Sequence, residues 1–275
     1  MTSSSGHVST ILIASIALVA GFAGGMLVTS ARAPKVSASA PHVHDAVTTH
    51  GEWVKFANAK GDSVRAYVAY PEQPGKRPAI ILIHEIFGLT DWEPTMADRF
   101  AGLGYVAIVP DLLSSRYGAS PASPDSGRKL IATLSDAGVI ADLDASYRYI
   151  NAQPATEKDN TGVIGFCWGG GTVWKYASAN PKLKAAVVCY GPLTDTTMIK
   201  SIKAPVLGVF GQNDGRVTGM IPAEKAILGA RFVADSYLGT GHGFLKPGRN
   251  GYGTPEYDRA LRNIDAFFSK QLDHK

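Results

Sequence analysis

Gly162-Val163-Ile164-Gly165-Phe166-Cys167-Trp168-Gly169-Gly170-Gly171 decides how the rest of the 275-residue chain is read. An apolar run enters a glycine-flanked turn, and Thr172-Val173-Trp174-Lys175-Tyr176-Ala177 continues as a helix. The pattern is a short buried strand, a tight turn and a helix, with a cysteine at the apex. The spacing Gly165-x-Cys167-x-Gly169 has a mechanical reason. A side chain thrust out of a strand-to-helix turn sits on strained backbone, and Cβ atoms at the flanking positions collide with neighbouring elements. The turn also sets Cys167 at a helix N-terminus, where unpaired N–H groups favour thiolate over thiol and can hold a developing oxyanion. The expectation is a low-pKa thiol that alkylates quickly at pH 6. Taken alone, the same stretch also describes a buried cysteine in a glycine-rich loop, and the rest of the chain decides between the two.

Downstream, Pro205 to Gly211 reads as a strand, followed by the loop Gln212-Asn213-Asp214-Gly215-Arg216-Val217. Arg231 to Leu238 reads as another, closed by Gly239-Thr240-Gly241-His242-Gly243-Phe244. Nucleophile, acid and base in that order, each on a loop after a strand, is the α/β-hydrolase arrangement. Triad members come from distant parts of a chain, so three loops at one sheet edge are what they need. Cys167, Asp214 and His242 are therefore the candidate nucleophile, orienting acid and base.

The remaining chain supplies the sheet. Glu52–Phe56 and Val64–Tyr70 alternate in polarity around Asn58-Ala59-Lys60-Gly61-Asp62, which predicts an antiparallel hairpin. Pro78 to His84 is a continuous apolar run, the mark of a strand buried on both faces, and leads into Glu85-Ile86-Phe87-Gly88. A helix from about Asp91 to Gly102 or Gly104 precedes a strand at Tyr105–Asp111. Leu112 to Arg128 is rich in Ser, Pro and Gly and reads as an active-site loop. A helix over Asp136–Asn151, a strand at Ala185–Tyr190 and a last helix over Thr254–Leu272 complete an α/β fold. It has eight strands in a mostly parallel sheet, helices on both faces and the site at the C-terminal edge. Trp53, Trp92 and Trp174 read as packing residues, His84 as structural and Cys189 as a buried strand residue.

Ahead of that domain, residues 11–28 form an uncharged apolar run between a signal-peptide core and a minimal membrane span in length. Residues 1–33 read as a signal peptide or membrane anchor, 34–50 as an Ala/Ser/Pro-rich flexible linker and 51–275 as the catalytic domain. Arg32 and Lys35 follow the run and no Lys or Arg precedes it, which for an uncleaved anchor would keep the domain cytoplasmic. The expectation is nonetheless export, periplasmic or secreted, with 11–28 cleaved or retained. His42, His44, Asp45 and His50 lie on the linker without fixed geometry and read as solvated rather than as a metal site.

Composition narrows the partners. A net charge of +4 from 27 basic and 23 acidic residues, spread evenly, gives no nucleic-acid surface. Two cysteines provide no disulfide framework. No CxxC, HExxH, P-loop or internal repeat occurs, so no cofactor and no metal is expected. The expected state is a monomer that takes a small-molecule substrate, a lactone or ester where the family resemblance of its motifs holds, with a membrane touched only through the N-terminal segment.

His84-Glu85-Ile86-Phe87-Gly88, Pro110-Asp111-Leu112, Gly165-Phe166-Cys167-Trp168-Gly169-Gly170, Asp214 and Gly241-His242-Gly243-Phe244 together resemble the dienelactone hydrolase (carboxymethylenebutenolidase) family. The likeness spans roughly residues 51–272, and the cysteine elbow is its specific part. It implies a Cys167–His242–Asp214 triad, with Glu85 touching the resting thiol and helping to switch it on when substrate binds. It implies an oxyanion hole from the Ile86 and Trp168 amides, which the elbow geometry also suggests. The family's substrate-gripping arginine four residues after the histidine is Lys246 here, which keeps the charge without the two-pronged fit. Its second arginine corresponds to Arg116 or Arg128, and Trp168 is expected to line the acyl pocket. The alternatives are a broader carboxylesterase or thioesterase, and a silent α/β-hydrolase fold used as a binding module. An intact triad weighs against the last.

Overall fold

The computed structural model describes residues 48–274, and the expectations for the N-terminal run, for export and for the linker up to residue 47 lie outside them. β1 (Thr49–Ala57) and β2 (Ser63–Pro71) form the expected hairpin, paired antiparallel from Thr49↔Pro71 to Ala57↔Ser63. β1 thus starts slightly ahead of Gly51, inside the stretch read as linker. β3 (Arg77–Ile83), α1 (Trp92–Gly102) and β4 (Val106–Asp111) follow. The stretch expected as one long loop instead contains α2 (Ser114–Tyr117) and α3 (Pro124–Ile131). The buried Asp111 carboxylate accepts from Leu113 N–H, Ser120 N–H and Ser120 Oγ at 2.6 to 3.2 Å, and Ser123 caps α3, so a polar composition is pinned into structure.

α4 (Asp136–Asn151) has the expected bounds, with Ser135 as its N-cap. β5 (Thr156–Phe166) runs into α5 (Trp168–Ala179), and β6 (Ala185–Cys189) and β7 (Val206–Gly211) come next. Two helices that sequence reasoning missed, α6 (Gly215–Thr218) and α7 (Ile221–Leu228), precede β8 (Phe232–Tyr237) and α8 (Pro255–Gln271). The sheet order is β1-β2-β4-β3-β5-β6-β7-β8, antiparallel at β1/β2 and β2/β4 and parallel from β4 to β8. Among the described residues, no helix is long and apolar enough to cross a membrane.

The period-two rule of strands fills both faces at once. Ile81 and Ile83 pack with Val139, Leu143 and Ile150 of α4, while Ile80 and Leu82 pack with Phe100 of α1 and Phe268 of α8. Each such side chain contributes about 1.5–3 kcal/mol when fully buried. Trp174 is buried as expected. Trp53 is not, because edge strand β1 leaves it 47% exposed with the Arg65 guanidinium 3.5 Å above its ring.

α7 carries one misfit. Glu224 is buried, its Oε2 has no hydrogen-bond partner among the described residues, and burial pushes its carboxyl up to about 7. The folded chain therefore keeps a proton that the unfolded chain releases near 4.5, so stability falls as pH rises from 4.5 through 7. The cost above that window is at most about 3 kcal/mol. Glu224→Gln should raise the melting temperature at pH 8 and leave it nearly unchanged at pH 4.5. An equal shift at both pH values would contradict this account.

Candidate active site

Every loop of interest leaves the C-terminal edge of a parallel strand. Cys167 is the residue between β5 and α5, with φ 56° and ψ −114°, a conformation that side-chain-bearing residues rarely adopt. Its strain is held by backbone bonds: Cys167 N–H donates to Cys189 O at 3.0 Å, and Cys167 O accepts Gly171 N–H at 3.0 Å. The Gly169 requirement is steric. A Cβ there would stand 2.3 Å from Ile83 O and 2.4 Å from His84 O, against backbone that has nowhere to go.

Asp214 follows β7 and His242 follows β8. The two loops are laced together by Asn213 N–H to Thr240 O and Gln212 N–H to Tyr237 O, both at 3.0 Å. Their side chains meet in line with the thiol. His242 Nε2 lies 3.1 Å from Cys167 Sγ, and His242 Nδ1 lies 2.5 Å from Asp214 Oδ2. Asp214 is buried, while the imidazole keeps about a third of its surface open to solvent. The structure thus brings together the three residues that the sequence singled out from three separate loops.

Glu85 and Ile86 follow β3. Glu85 N–H donates to Glu93 Oε1 at 3.4 Å, and Glu93 Oε2 accepts from Thr90 N–H and Thr90 Oγ1, so a buried carboxylate from α1 pins this loop. In the sequence, Glu93 is only an acidic residue in the first turn of α1. Among the described residues Glu85 makes no hydrogen bond to the thiol: its Oε2 is paired with Lys246 Nζ at 2.9 Å, and both groups are largely buried. Lys246 also lies 5.5 Å from the Phe87 ring centre and 5.2 Å from that of Trp92. His84 is buried, its Nε2 accepts from Leu112 N–H, and its ring stacks on Trp168 at 5.6 Å, so it supports the elbow's first helical residue. Cys189 is fully buried at the end of β6.

The electrostatics correct one expectation. Burial, and next the Glu85 charge, push the Cys167 thiol up from its ordinary value. The Trp168 and Ile86 N–H groups and the Arg216 charge pull the other way without prevailing. The amides expected as an oxyanion hole therefore lower the thiol's pKa as a helix N-terminus should, but burial and Glu85 outweigh them, so the resting group is a thiol and not a low-pKa thiolate. The reactive fraction at neutral pH is thus small and rises with pH. Glu85→Gln removes the second-largest cause, so its iodoacetamide alkylation profile should move to lower pH, with reactivity at pH 7 up by about tenfold per pH unit moved. An unmoved profile would show that Glu85 does not act on the thiol.

The two candidate arginines part company. α3 lies hard against the loop after β3, where a Cβ on Gly127 would be 2.0 Å from Phe87 O, and this sets Arg128 5.4 Å from the Phe87 ring centre. Arg128 and Lys246 therefore share one aromatic ring. Arg116 instead donates to Thr133 O at 3.0 Å and lines a separate cavity of about 390 Å³ beside Asn58 and Asp142. Arg216, not singled out from sequence, is exposed with one guanidinium nitrogen 3.5 Å from His242 Nδ1. Its position in the first turn after Asp214 was the available signal. Among the described residues, no group of three or more His, Cys, Asp or Glu side chains is arranged to hold a metal ion.

Residues 64–272 match the profile of the dienelactone hydrolase family. A carboxymethylenebutenolidase-like protein of Salmonella typhimurium is 34% identical over 242 residues, 80% of this chain and 88% of that protein. A carboxymethylenebutenolidase homolog of Rattus norvegicus is 29% identical over 225 residues, 77% of this chain and 89% of its own. The crystal structure of a dienelactone hydrolase-like protein from Klebsiella pneumoniae superposes with a TM-score of 0.74 at 28% identity. It covers 81% of this chain and 99% of that one.

Proposed function

This chain belongs to the dienelactone hydrolase family, and from that premise we propose that it is a cysteine-dependent hydrolase of small lactones or esters bearing an anionic group. The observation that carries the reading is the line Cys167 Sγ–His242 Nε2–Asp214 Oδ2, at 3.1 and 2.5 Å. In it, His242 takes the thiol proton as Sγ bonds to the substrate carbonyl carbon. The resulting oxyanion lies against the Ile86 and Trp168 amides, the two N–H groups that already favour negative charge on the sulfur. As the carbon–oxygen bond breaks, the imidazolium returns its proton to the leaving enolate or alkoxide. His242 then takes a proton from water, the hydroxide adds to the thioester, and the carbon–sulfur bond breaks to release the acid and the thiol.

The preference for an anionic substrate follows from Lys246 and Arg128 around Phe87. A substrate carboxylate approaching Lys246 competes with Glu85 for the same ammonium, and once Lys246 turns away, Glu85 is released beside the thiol. Substrate binding and a change in the charge beside the thiol are then one event. Lysine serves here as a point charge, where a guanidinium would impose a planar two-point fit, so tolerance for differently shaped acids should be broad. The test is a panel of lactones, aryl esters and thioesters, each neutral and carboxylate-bearing, presented to the purified chain. Higher kcat/KM on the carboxylate-bearing members is the expected result. A consistent preference for neutral members would remove the anionic-substrate reading, and no hydrolysis of any member would remove the enzyme reading.

A further inference from the structure

Tyr190 has no part in the chemistry above, yet it is strained, buried and incompletely bonded. It follows β6 directly with φ 41°, a backbone conformation that disfavours any residue with a Cβ. The strain is imposed by the clamp on the elbow. Tyr190 N–H donates to Val209 O at 2.8 Å, and the carbonyl just before it, Cys189 O, accepts the Cys167 N–H. On the other side, a Cβ on Gly191 would fall 2.1 Å from the Gly170 carbonyl carbon. The side chain is thereby driven under the triad. Its ring meets the His242 imidazole edge-on at 5.2 Å and packs against Phe244 at 6.0 Å and Phe166 at 6.4 Å.

The phenol oxygen is fully buried and has no hydrogen-bond partner among the described residues. A phenol can donate one bond and accept others, and leaving it unpaired in the interior is costly. A purely apolar role would be met by phenylalanine at no such cost. Burial first, and then the Glu85 charge, hold the Tyr190 phenol well above its ordinary value, so the two groups act on each other. Glu85 in turn depends on Lys246, the group an anionic substrate would claim. A buried carboxylate that loses its counter-ion needs a donor or a proton. Among the described residues the other unpaired buried hydroxyl, Thr156 Oγ1, begins β5 at the far end of the strand from the site.

We infer that Tyr190 is a positioning residue for hydrolysis, its hydroxyl being the donor that receives the Glu85 carboxylate when a substrate anion draws Lys246 away. No proton is transferred. The hydrogen bond spreads the Glu85 charge and so eases thiolate formation at Cys167 during turnover. This inference rests on the roles given above to Cys167, Glu85 and Lys246.

The test is a double-mutant cycle of Tyr190→Phe and Glu85→Gln, read with mono-(4-nitrophenyl) succinate as the anionic ester and 4-nitrophenyl acetate as the neutral one. Tyr190→Phe keeps the ring packing and removes an unpaired hydroxyl, so its melting temperature should not fall. The expected result is a kcat about tenfold lower on the succinate half-ester with KM little changed, and a rate within about twofold of wild type on the acetate. In the Glu85→Gln background the tenfold loss should disappear. Equal losses on both esters, no loss on either, or the same loss without Glu85 would each overturn the inference. Wild-type rates in Cys167→Ala would instead overturn the acyl-enzyme reading beneath it, so the two failures are distinguishable.

Discussion

Cys167→Ala should hydrolyse 4-nitrophenyl acetate about 10⁴-fold more slowly than the wild-type chain, with circular dichroism and melting temperature little changed. The size follows from what remains. Without the sulfur no thioester can form, and catalysis falls to what the Ile86 and Trp168 amides and substrate positioning supply for direct attack by water. The fold should survive because the elbow is held by backbone groups: Cys167 N–H to Cys189 O and Gly171 N–H to Cys167 O do not involve the side chain. Alanine at φ 56° is no more strained than cysteine there. Cys167→Ser should retain part of the activity, since the hydroxyl sits at the same place beside His242 but is far harder to ionise. Activity of Cys167→Ala within about tenfold of wild type would mean that the nucleophile lies elsewhere.

Asp214→Asn should cost about 10³- to 10⁴-fold in kcat while leaving KM within a few-fold. The buried Asp214 carboxylate fixes the imidazole through Nδ1, so that Nε2 presents a lone pair to the sulfur 3.1 Å away. An amide in its place can donate to Nδ1, which turns the proton to Nε2 and leaves the base unable to accept from the thiol. Its neutral oxygen also fails to stabilise the imidazolium that forms during attack. The exposed Arg216 guanidinium, 3.5 Å from the same nitrogen, cannot replace a negative charge. A loss below about tenfold would show that the imidazole is oriented by something other than Asp214.

Much of this was legible in the sequence because the informative features are local. Glycine spacing around Cys167, apolar runs for buried strands and the chain order of Asp214 and His242 each need only a few adjacent residues to be read. The Asp136–Asn151 helix was legible for the same reason, with Val139, Leu143, Tyr147 and Ile150 recurring on one apolar stripe. What escaped depends on contacts between distant segments. Leu112 to Arg128 has a loop's composition, and only the buried Asp111 with its bonds to Leu113 and Ser120 orders it. Glu93 has a helix opener's position, and only the fold brings it to the Glu85 amide. The thiol's raised pKa was misjudged because a helix N-terminus is visible in sequence, whereas burial and a carboxylate from another loop are not. Arg128 and Arg116 could not be told apart until α3 was seen lying against Phe87. Tyr190 was hidden in a strand pattern, where nothing marks a side chain as strained or unpaired.

The most direct measurement of the central claim is to trap the covalent intermediate. The wild-type chain is mixed with excess 4-nitrophenyl acetate, quenched in acid during turnover, digested and examined by mass spectrometry. The account predicts an acetyl group on the peptide containing Cys167, as a thioester that hydroxylamine removes, and none on that peptide in Cys167→Ala. Release of 4-nitrophenol with the acetyl group found on another residue, and Cys167 unmodified throughout, would contradict it.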